Sequence, residues 1–352
     1  MSATFTYDIN PGRIVFGPGT LNTVGDEIAR LGAGRALILS TPFQRADARK
    51  LAESLGPLAA GVFSQATMHT PVDVTLRAVS AYAVVGADCV VALGGGSTIG
   101  LGKAIAWRNS APQIVIATTY AGSEVTPILG QTEDGIKTTV RDAKILPEVV
   151  IYDAMLTLEL PVAMSVTSGL NAMAHAVEGV YAKDRNPMSS LMAVEGVRAL
   201  RDALSVIVKD PKDLPARTDA LRGSWLCGSV LGTVGMSLHH KLCHTLGGSL
   251  DLPHAETHAI MLPHSAAYNA QVAEREMQPL ADLFGGSIGR GLYDFAKSLG
   301  APLALKELGV KESQLDLVAD LAVKKPYWNP RPVERAGIRA LLQCAWDGAR
   351  PE

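Results

Sequence analysis

Residues 88–100 read DCVVALGGGSTIG, and this stretch decides the fold. Asp88–Leu93 is a short apolar run of the kind found in strands covered on both faces. It runs directly into Gly94-Gly95-Gly96-Ser97-Thr98-Ile99-Gly100, and a helical pattern follows over Thr98–Trp107 with Ser97 as its expected N-cap. Three glycines let the backbone approach a phosphate closely. A helix N-terminus adds unpaired N–H groups and the positive end of its dipole. An ordinary strand-to-helix turn is the competing reading, because the spacing is not GxGxxG and the loop does not follow the first strand.

The sequence on either side repeats the alternation. Arg35–Ser40, Ala60–Ser64 and Gln113–Ala117 are further apolar runs. Helical patterns lie near Leu21–Leu31, Arg45–Leu55 and Val74–Val85, the last with Asp73 as expected N-cap. Strand–helix alternation predicts a parallel sheet with crossover helices. Ile128–Thr132 and Lys137–Arg141 flank Glu133-Asp134-Gly135 and read as a hairpin. Ligands in such sheets bind at the carboxyl ends of strands. Here those ends carry Ser40 and Thr41, the glycine loop with Ser97, and Thr118, Thr119, Ser123 and Thr126. No acidic residue follows Ser40-Thr41-Pro42, so nothing there selects against a ribose 2′-phosphate.

After Asp153 the β-branched runs nearly vanish, and Leu, Ala and Met recur at helical spacing. Helices are expected from Pro161 to about Ala182, then over Pro187–Ile207, Leu214–Thr233, Ser237–Gly247, His254–Ala270 and Leu280–Leu299, with a last one after Trp328. The expected organisation is an α/β domain over 1–155 and an all-α domain over 156–352.

Composition narrows the function. The 352 residues carry 32 Lys+Arg against 34 Asp+Glu, a net charge of −2, which is not the basic excess of a nucleic-acid binder. Apolar residues make up 47%, too many for a disordered chain. Four cysteines lie far apart with no CxxC pair, which points away from disulfide and zinc-ribbon scaffolds. No signal-peptide pattern and no membrane-length apolar run is present, so a cytoplasmic protein is expected.

The histidines are uneven. Of eight, only His69 lies in the first 170 residues, and the other seven fall between His175 and His264. Asn171 and His175, His240 and His244, and His254 and His258 are each four apart on predicted helices, so each pair shares a face. This is the layout of a histidine-rich metal site, although His239 and His264 also fit buried, hydrogen-bonded core positions.

The combination of GGGSTIGLGKAIA, TTYAGSEVTP, SGLNAMAHAVEGVYA and HHKLCHTLGGSLDLPHAETHAIMLPH, in this order, resembles the iron-containing alcohol dehydrogenase superfamily over nearly the whole chain. The resemblance implies a dinucleotide-binding α/β domain of the dehydroquinate synthase-like kind, a helical domain, an active site in the cleft between them, and a homodimer. It also implies metal ligands at Asn171, His175, His240 and His254, with His244 beside the nicotinamide. Asn171 departs from that pattern, since metal-dependent members carry Asp there. An amide is a poorer ligand for a divalent cation, which makes metal dependence doubtful and the four positions vestigial.

Asn171, TYAGSEVTP, HHKLCHTLGG and Asn329–Pro332 (NPRP) narrow the resemblance to the maleylacetate reductases within that superfamily. That group implies NADH- or NADPH-dependent reduction of the C=C bond of maleylacetate to 3-oxoadipate in aromatic catabolism, with chlorinated analogues as further candidate substrates and no metal required. On this reading His175, His240, His244 and His254 act as hydrogen-bond donors and proton source, with His244 the first candidate for the proton. A dicarboxylate needs cationic or amide partners, for which Asn171, Tyr120, Lys241 and Arg331 are the candidates, followed by Lys137 and Arg141. Cys243 is either a thiol near the site or a small core residue. The alternatives are a metal-dependent alcohol or polyol dehydrogenase using iron or zinc, and a non-catalytic nucleotide-binding protein.

Overall fold

The computed structural model describes residues 5, 7, 10 and 12–352 and divides into two compact units, Ile9–Leu160 and Pro161–Glu352. The first unit is built on β1 (Arg13–Phe16), β2 (Ala36–Leu39), β3 (Ala59–Phe63), β4 (Cys89–Gly94), β5 (Gln113–Ala117) and β8 (Val149–Tyr152). They form one parallel sheet in the order β1-β8-β5-β4-β2-β3. The hairpin is β6 (Ile128–Glu133) with β7 (Ile136–Arg141), paired antiparallel with Glu133 opposite Ile136.

The four central strands are buried throughout, as their unbroken apolar runs require. Ile38, Val91, Leu93, Ile114, Ile116, Val149 and Ile151 share one face of the sheet. They pack with Val24 and Ile28 of α1 (Val24–Arg30) and Ala48 and Leu51 of α2 (Arg45–Leu55). Leu156 packs against the same cluster, so the unit reaches beyond the last strand.

Two strands escaped the sequence reading. β1 has only four residues and a half-exposed pattern, and β8 is an equally short run between turns. Two expected caps are corrected. α3 (Val72–Val84) starts after Pro71, and the Asp73 carboxylate instead accepts from Arg77 at 3.0 Å. α4 (Gly96–Asn109) is preceded by Gly95, and no side chain caps it.

The second unit is helical: α5 (Val162–Gly179), α6 (Pro187–Ile207), α7 (Leu214–Thr233), α8 (Leu238–Leu250), α9 (His254–Leu283), α10 (Ile288–Ser298), α11 (Leu315–Val323) and α12 (Arg335–Asp347). α6 opens with a capping box in which Asn186 Oδ1 accepts from Ser189 N–H and Ser189 Oγ accepts from Asn186 N–H, both at 3.0 Å. The expected helix over Leu280–Leu299 is corrected. α9 continues to Leu283 through a kink at Ala273, and Gly285-Gly286 at φ +80° and +92° separate it from α10. α11 was not expected from the sequence. Among the described residues, no helix is long and apolar enough to cross a membrane.

Candidate active site

In the α/β unit the chain switches direction between β2 and β4: β2 leads outward to β3, and β4 leads the other way to β5. A switch point of this kind opens a crevice at the carboxyl ends of the flanking strands. Gly94 and Gly95 sit there. Thr118 N–H donates to Gly94 O at 3.1 Å, and Gln44 Nε2 donates to Thr118 Oγ1 at 3.1 Å. A Cβ on Gly95 would lie 2.7 Å from Thr119 Cγ2, so glycine is required for this approach. Among the described residues the Thr98 hydroxyl is buried without a partner, beside a helix start that no side chain caps. A bare helix N-terminus, close-packed glycines and an unpaired hydroxyl fit a pyrophosphate.

Not every hydroxyl named from the sequence faces that crevice. Ser40 is fully buried and bonds Ser64 Oγ at 2.9 Å and Thr41 O at 3.1 Å. Thr126 is held by the buried Lys103, whose ammonium donates to Thr126 Oγ1 (2.9 Å) and to the carbonyls of Thr126 (2.7 Å), Ser123 (2.5 Å) and Ile128 (3.0 Å). Thr126 and Ser123 therefore shape the loop through a lysine on the glycine-loop helix. Burial draws the Lys103 pKa down to about 7, opposed by the charge of Glu124. Tyr120 is fully buried in this unit. Arg141 is exposed on the hairpin, and the side chain of Lys137 lies outside the described residues.

In the helical unit, α5 presents Asn171, His175 and Glu178 along one face. α8 brings His239, His240, Cys243 and His244, and α9 brings His254, His258 and Ser265. His175 Nδ1 lies 2.8 Å from His240 Nε2, and His240 Nδ1 lies 2.6 Å from Glu178 Oε2. His254 packs on His258 with ring centroids 4.3 Å apart. His258 is 5.1 Å from His240, and His244 stacks at 6.4 Å from His254. The candidates His175, His240, His244 and His254 thus belong to one cluster, and Asn171 shares its helix.

Glu178 was not singled out from the sequence. Its carboxylate accepts from Ser237 Oγ (2.7 Å), Ser237 N–H (3.1 Å), His239 N–H (2.8 Å) and His240 N–H (3.3 Å). α8 has no N-cap side chain of its own, so a carboxylate from α5 satisfies its first N–H groups and its dipole. Burial pushes the Glu178 pKa up. The hydrogen bonds from His240 and the Ser237 hydroxyl more than reverse this, and the carboxyl is held well below its ordinary range.

An ionised Glu178 requires a proton on His240 Nδ1. With that proton on Nδ1, His240 Nε2 is the acceptor of the next bond and His175 donates from Nδ1. A second chain lies behind the first. Ser265 Oγ donates to Met261 O at 2.9 Å and so accepts from His239 Nδ1 at 2.8 Å. His258 Nδ1 then donates to His239 Nε2 at 2.9 Å. This leaves His258 Nε2 as a buried acceptor with no partner. Burial holds His239 neutral, its pKa lowered to about 3, and lowers that of His258 as well. Neither His239 nor His258 was given a role from the sequence, although their crowding was visible.

Of the four positions that the resemblance assigns to a metal, three offer neutral imidazole nitrogens, one is an amide and none is anionic, and His175 Nδ1 lies 2.8 Å from His240 Nε2. Among the described residues, the set of three whose donor atoms lie within 4.8 Å of one another is His239, Cys243 and His258. There His239 Nε2 and His258 Nδ1 are bonded to each other. Cys243 is a buried core residue with Sγ 3.6 Å from His239 Nε2.

Lys241 and Arg331 both lie in the helical unit. The Lys241 ammonium sits 5.9 Å from the Tyr327 ring centroid. The Arg331 guanidinium lies over the Tyr268 ring, 3.9 Å from its centroid, and donates to Tyr268 O at 3.1 Å.

A switch-point glycine loop in one unit and a histidine cluster on three helices of the other define a nucleotide-dependent oxidoreductase. Residues 11–154 match the iron-containing alcohol dehydrogenase family and residues 165–346 its C-terminal region, so the chain belongs to the iron-containing alcohol dehydrogenase family. It is 67% identical to a maleylacetate reductase of Rhizobium sp. (strain MTP-10005) and 54% identical to one of Burkholderia cepacia, each over 99% of both chains. The crystal structure of a maleylacetate reductase from Agrobacterium tumefaciens superposes with a TM-score of 0.96 at 65% identity, covering 99% of this chain and 100% of that one.

Proposed function

We propose that this enzyme reduces the C=C bond of maleylacetate to give 3-oxoadipate, using NADH or NADPH, in the cytoplasm. The observation that carries the reading is the histidine cluster itself. An amide stands where metal-dependent relatives keep a carboxylate, and the neighbouring histidines are bonded to one another. Such a site offers hydrogen-bond donors rather than a Lewis acid. Identity of 67% to a maleylacetate reductase over the full chain supports the same substrate.

A bound nicotinamide supplies a hydride to the alkene carbon β to the ketone. Gly94, Gly95, Gly96, Ser97, Thr118 and Thr119, with Thr41 at the end of β2, would hold its dinucleotide. Charge then develops on the ketone oxygen, where donors aimed at the enolate stabilise it. Asn171 and His175 are suited to that task. His244 delivers the proton to the carbon next to the ketone, which completes the saturation. His240 keeps His175 in its donating tautomer, and His254 packs against the cluster through His258. Lys241 supplies positive charge to the dicarboxylate.

The direct test is a spectrophotometric assay of nicotinamide oxidation with maleylacetate. No oxidation by pure protein rejects the reading. Loss of activity on chelation, restored by Fe²⁺ or Zn²⁺, would replace it with a metal-dependent dehydrogenase. Asn171→Asp is expected to raise bound metal, read by elemental analysis, and to lower maleylacetate turnover by about tenfold or more, since a second carboxylate repels the dianion and restores an anionic ligand. Gly95→Val is expected to weaken NADH binding by about tenfold or more in a fluorescence titration, because its side chain must displace Thr119 from the crevice.

A further inference from the structure

The segment after α11 is pinned from several sides. Asn329 and Asn269 exchange amide hydrogen bonds at 2.8 and 3.0 Å, and Asn329 Nδ2 also donates to Arg331 O at 2.7 Å. Tyr268 OH donates to Pro332 O at 2.6 Å while its ring carries the Arg331 guanidinium. Asn269 continues inward, donating to Tyr181 OH at 3.0 Å, and Tyr181 OH lies 3.3 Å from Glu178 Oε1. Arg331 is thus part of the clamp that ties this segment to α9 and, through Tyr181, to the histidine cluster.

The clamp fixes the position of Tyr327. Its ring lines a cavity of about 330 Å³ with Lys325, Asn329 and Arg331, and it packs against the core beneath α8. Its hydroxyl is buried and has no partner among the described residues. The Lys241 ammonium lies on its flank, one residue from His240. Buried hydroxyls are nearly always bonded, and an orphan costs stability unless a ligand completes it. A buried phenolic hydroxyl whose ring lies under an ammonium is a donor matched to an anionic oxygen.

We propose that Tyr327 is a substrate-binding residue whose hydroxyl donates to one carboxylate of the dianionic substrate, with Lys241 as the matching charge. Arg331 then holds the segment and does not touch the substrate. The assignment rests on the dicarboxylate reading given above.

The test uses the full-length enzyme and its Tyr327→Phe variant. A hydrogen bond to a charged group predicts about a 10- to 100-fold rise in KM for maleylacetate. The KM for NADH stays unchanged. Adipate, a dicarboxylate that cannot be reduced, should lose affinity by a similar factor in calorimetry. The thermal midpoint should not fall, because no protein bond is lost. If the wild type reduces maleylacetate and Tyr327→Phe matches it in KM and adipate affinity, the proposal is overturned. A lower midpoint with unchanged KM makes the hydroxyl structural and also overturns it. If Tyr327→Phe does not fold, Lys241→Met must show the same loss of adipate affinity or the proposal falls. If the wild type fails to reduce maleylacetate, the functional reading fails, and adipate binding to the two proteins still decides the role of Tyr327.

Discussion

Glu178→Ala is expected to destabilise the helical domain by about 3–5 kcal/mol, since several buried donors lose one charged acceptor at once. The carboxylate satisfies the first N–H groups of α8, the Ser237 hydroxyl and His240 Nδ1 together. Deleting it leaves all of them buried and unpaired. Glu178→Gln is the sharper variant. Each contact of the carboxylate on α8 is with a donor, so an amide NH₂ must face donors whichever way it turns. The least costly relief is for His240 to move its proton from Nδ1 to Nε2. His240 would then donate to His175 Nδ1, which reverses the chain and shifts the proton of His175 to its other nitrogen. A wrong histidine tautomer in a comparable buried pair removes several orders of magnitude in rate. We expect kcat for maleylacetate to fall by about 10²-fold or more, with the KM for NADH unchanged. Nitrogen NMR of the imidazoles reads the tautomers directly. Wild-type tautomers and wild-type kcat in Glu178→Gln would show that the carboxylate is only a helix cap.

Much of this arrangement was legible in the sequence, for identifiable reasons. The glycine loop declares itself because strand, glycines and helix are contiguous. The histidine pairs declare themselves because a spacing of four is fixed by helix geometry. Glu178 lies on the same predicted face as Asn171 and His175, and that spacing was the available signal. Its role was hidden because it caps a helix whose N-cap residue, Ser237, lies 59 residues later. Lys103 was hidden in the same way. A lysine in a helix next to a glycine loop looks solvated until the loop over Ser123–Ile128 folds back onto it. Ser40 and Thr126 show the opposite case, since their hydroxyls at strand ends are bonded within the protein, where hydroxyls serve the loop as readily as a ligand. Arg331 looked like a substrate anchor because nothing in NPRP announces that Tyr268 lies beneath the guanidinium.

The second large effect expected is acid unfolding of the helical domain between about pH 6.5 and pH 4. His239 and His264 have pKa values lowered by burial to about 3 and about 4, and His258 is lowered as well, first by burial and then by the neighbouring histidines. In the unfolded chain all three return to about 6.5. Below pH 6.5 the unfolded state therefore binds protons that the folded state refuses, so stability falls as pH falls. Each such proton contributes about 1.4 kcal/mol per pH unit, and three together give a slope of about 4 kcal/mol per unit. Two units of acidification then remove about 8 kcal/mol, comparable to the whole stability of a typical domain. Glu178 adds to the loss below its ordinary value of 4.5, because its folded pKa is depressed and protonation cuts the bonds that cap α8. Urea unfolding followed at pH 7, 6 and 5 measures the slope. A His239→Gln variant should flatten it by about one proton, since glutamine can keep the bond to Ser265 without titrating. Equal stability at pH 7 and pH 5 would mean that these histidines are already charged in the folded protein.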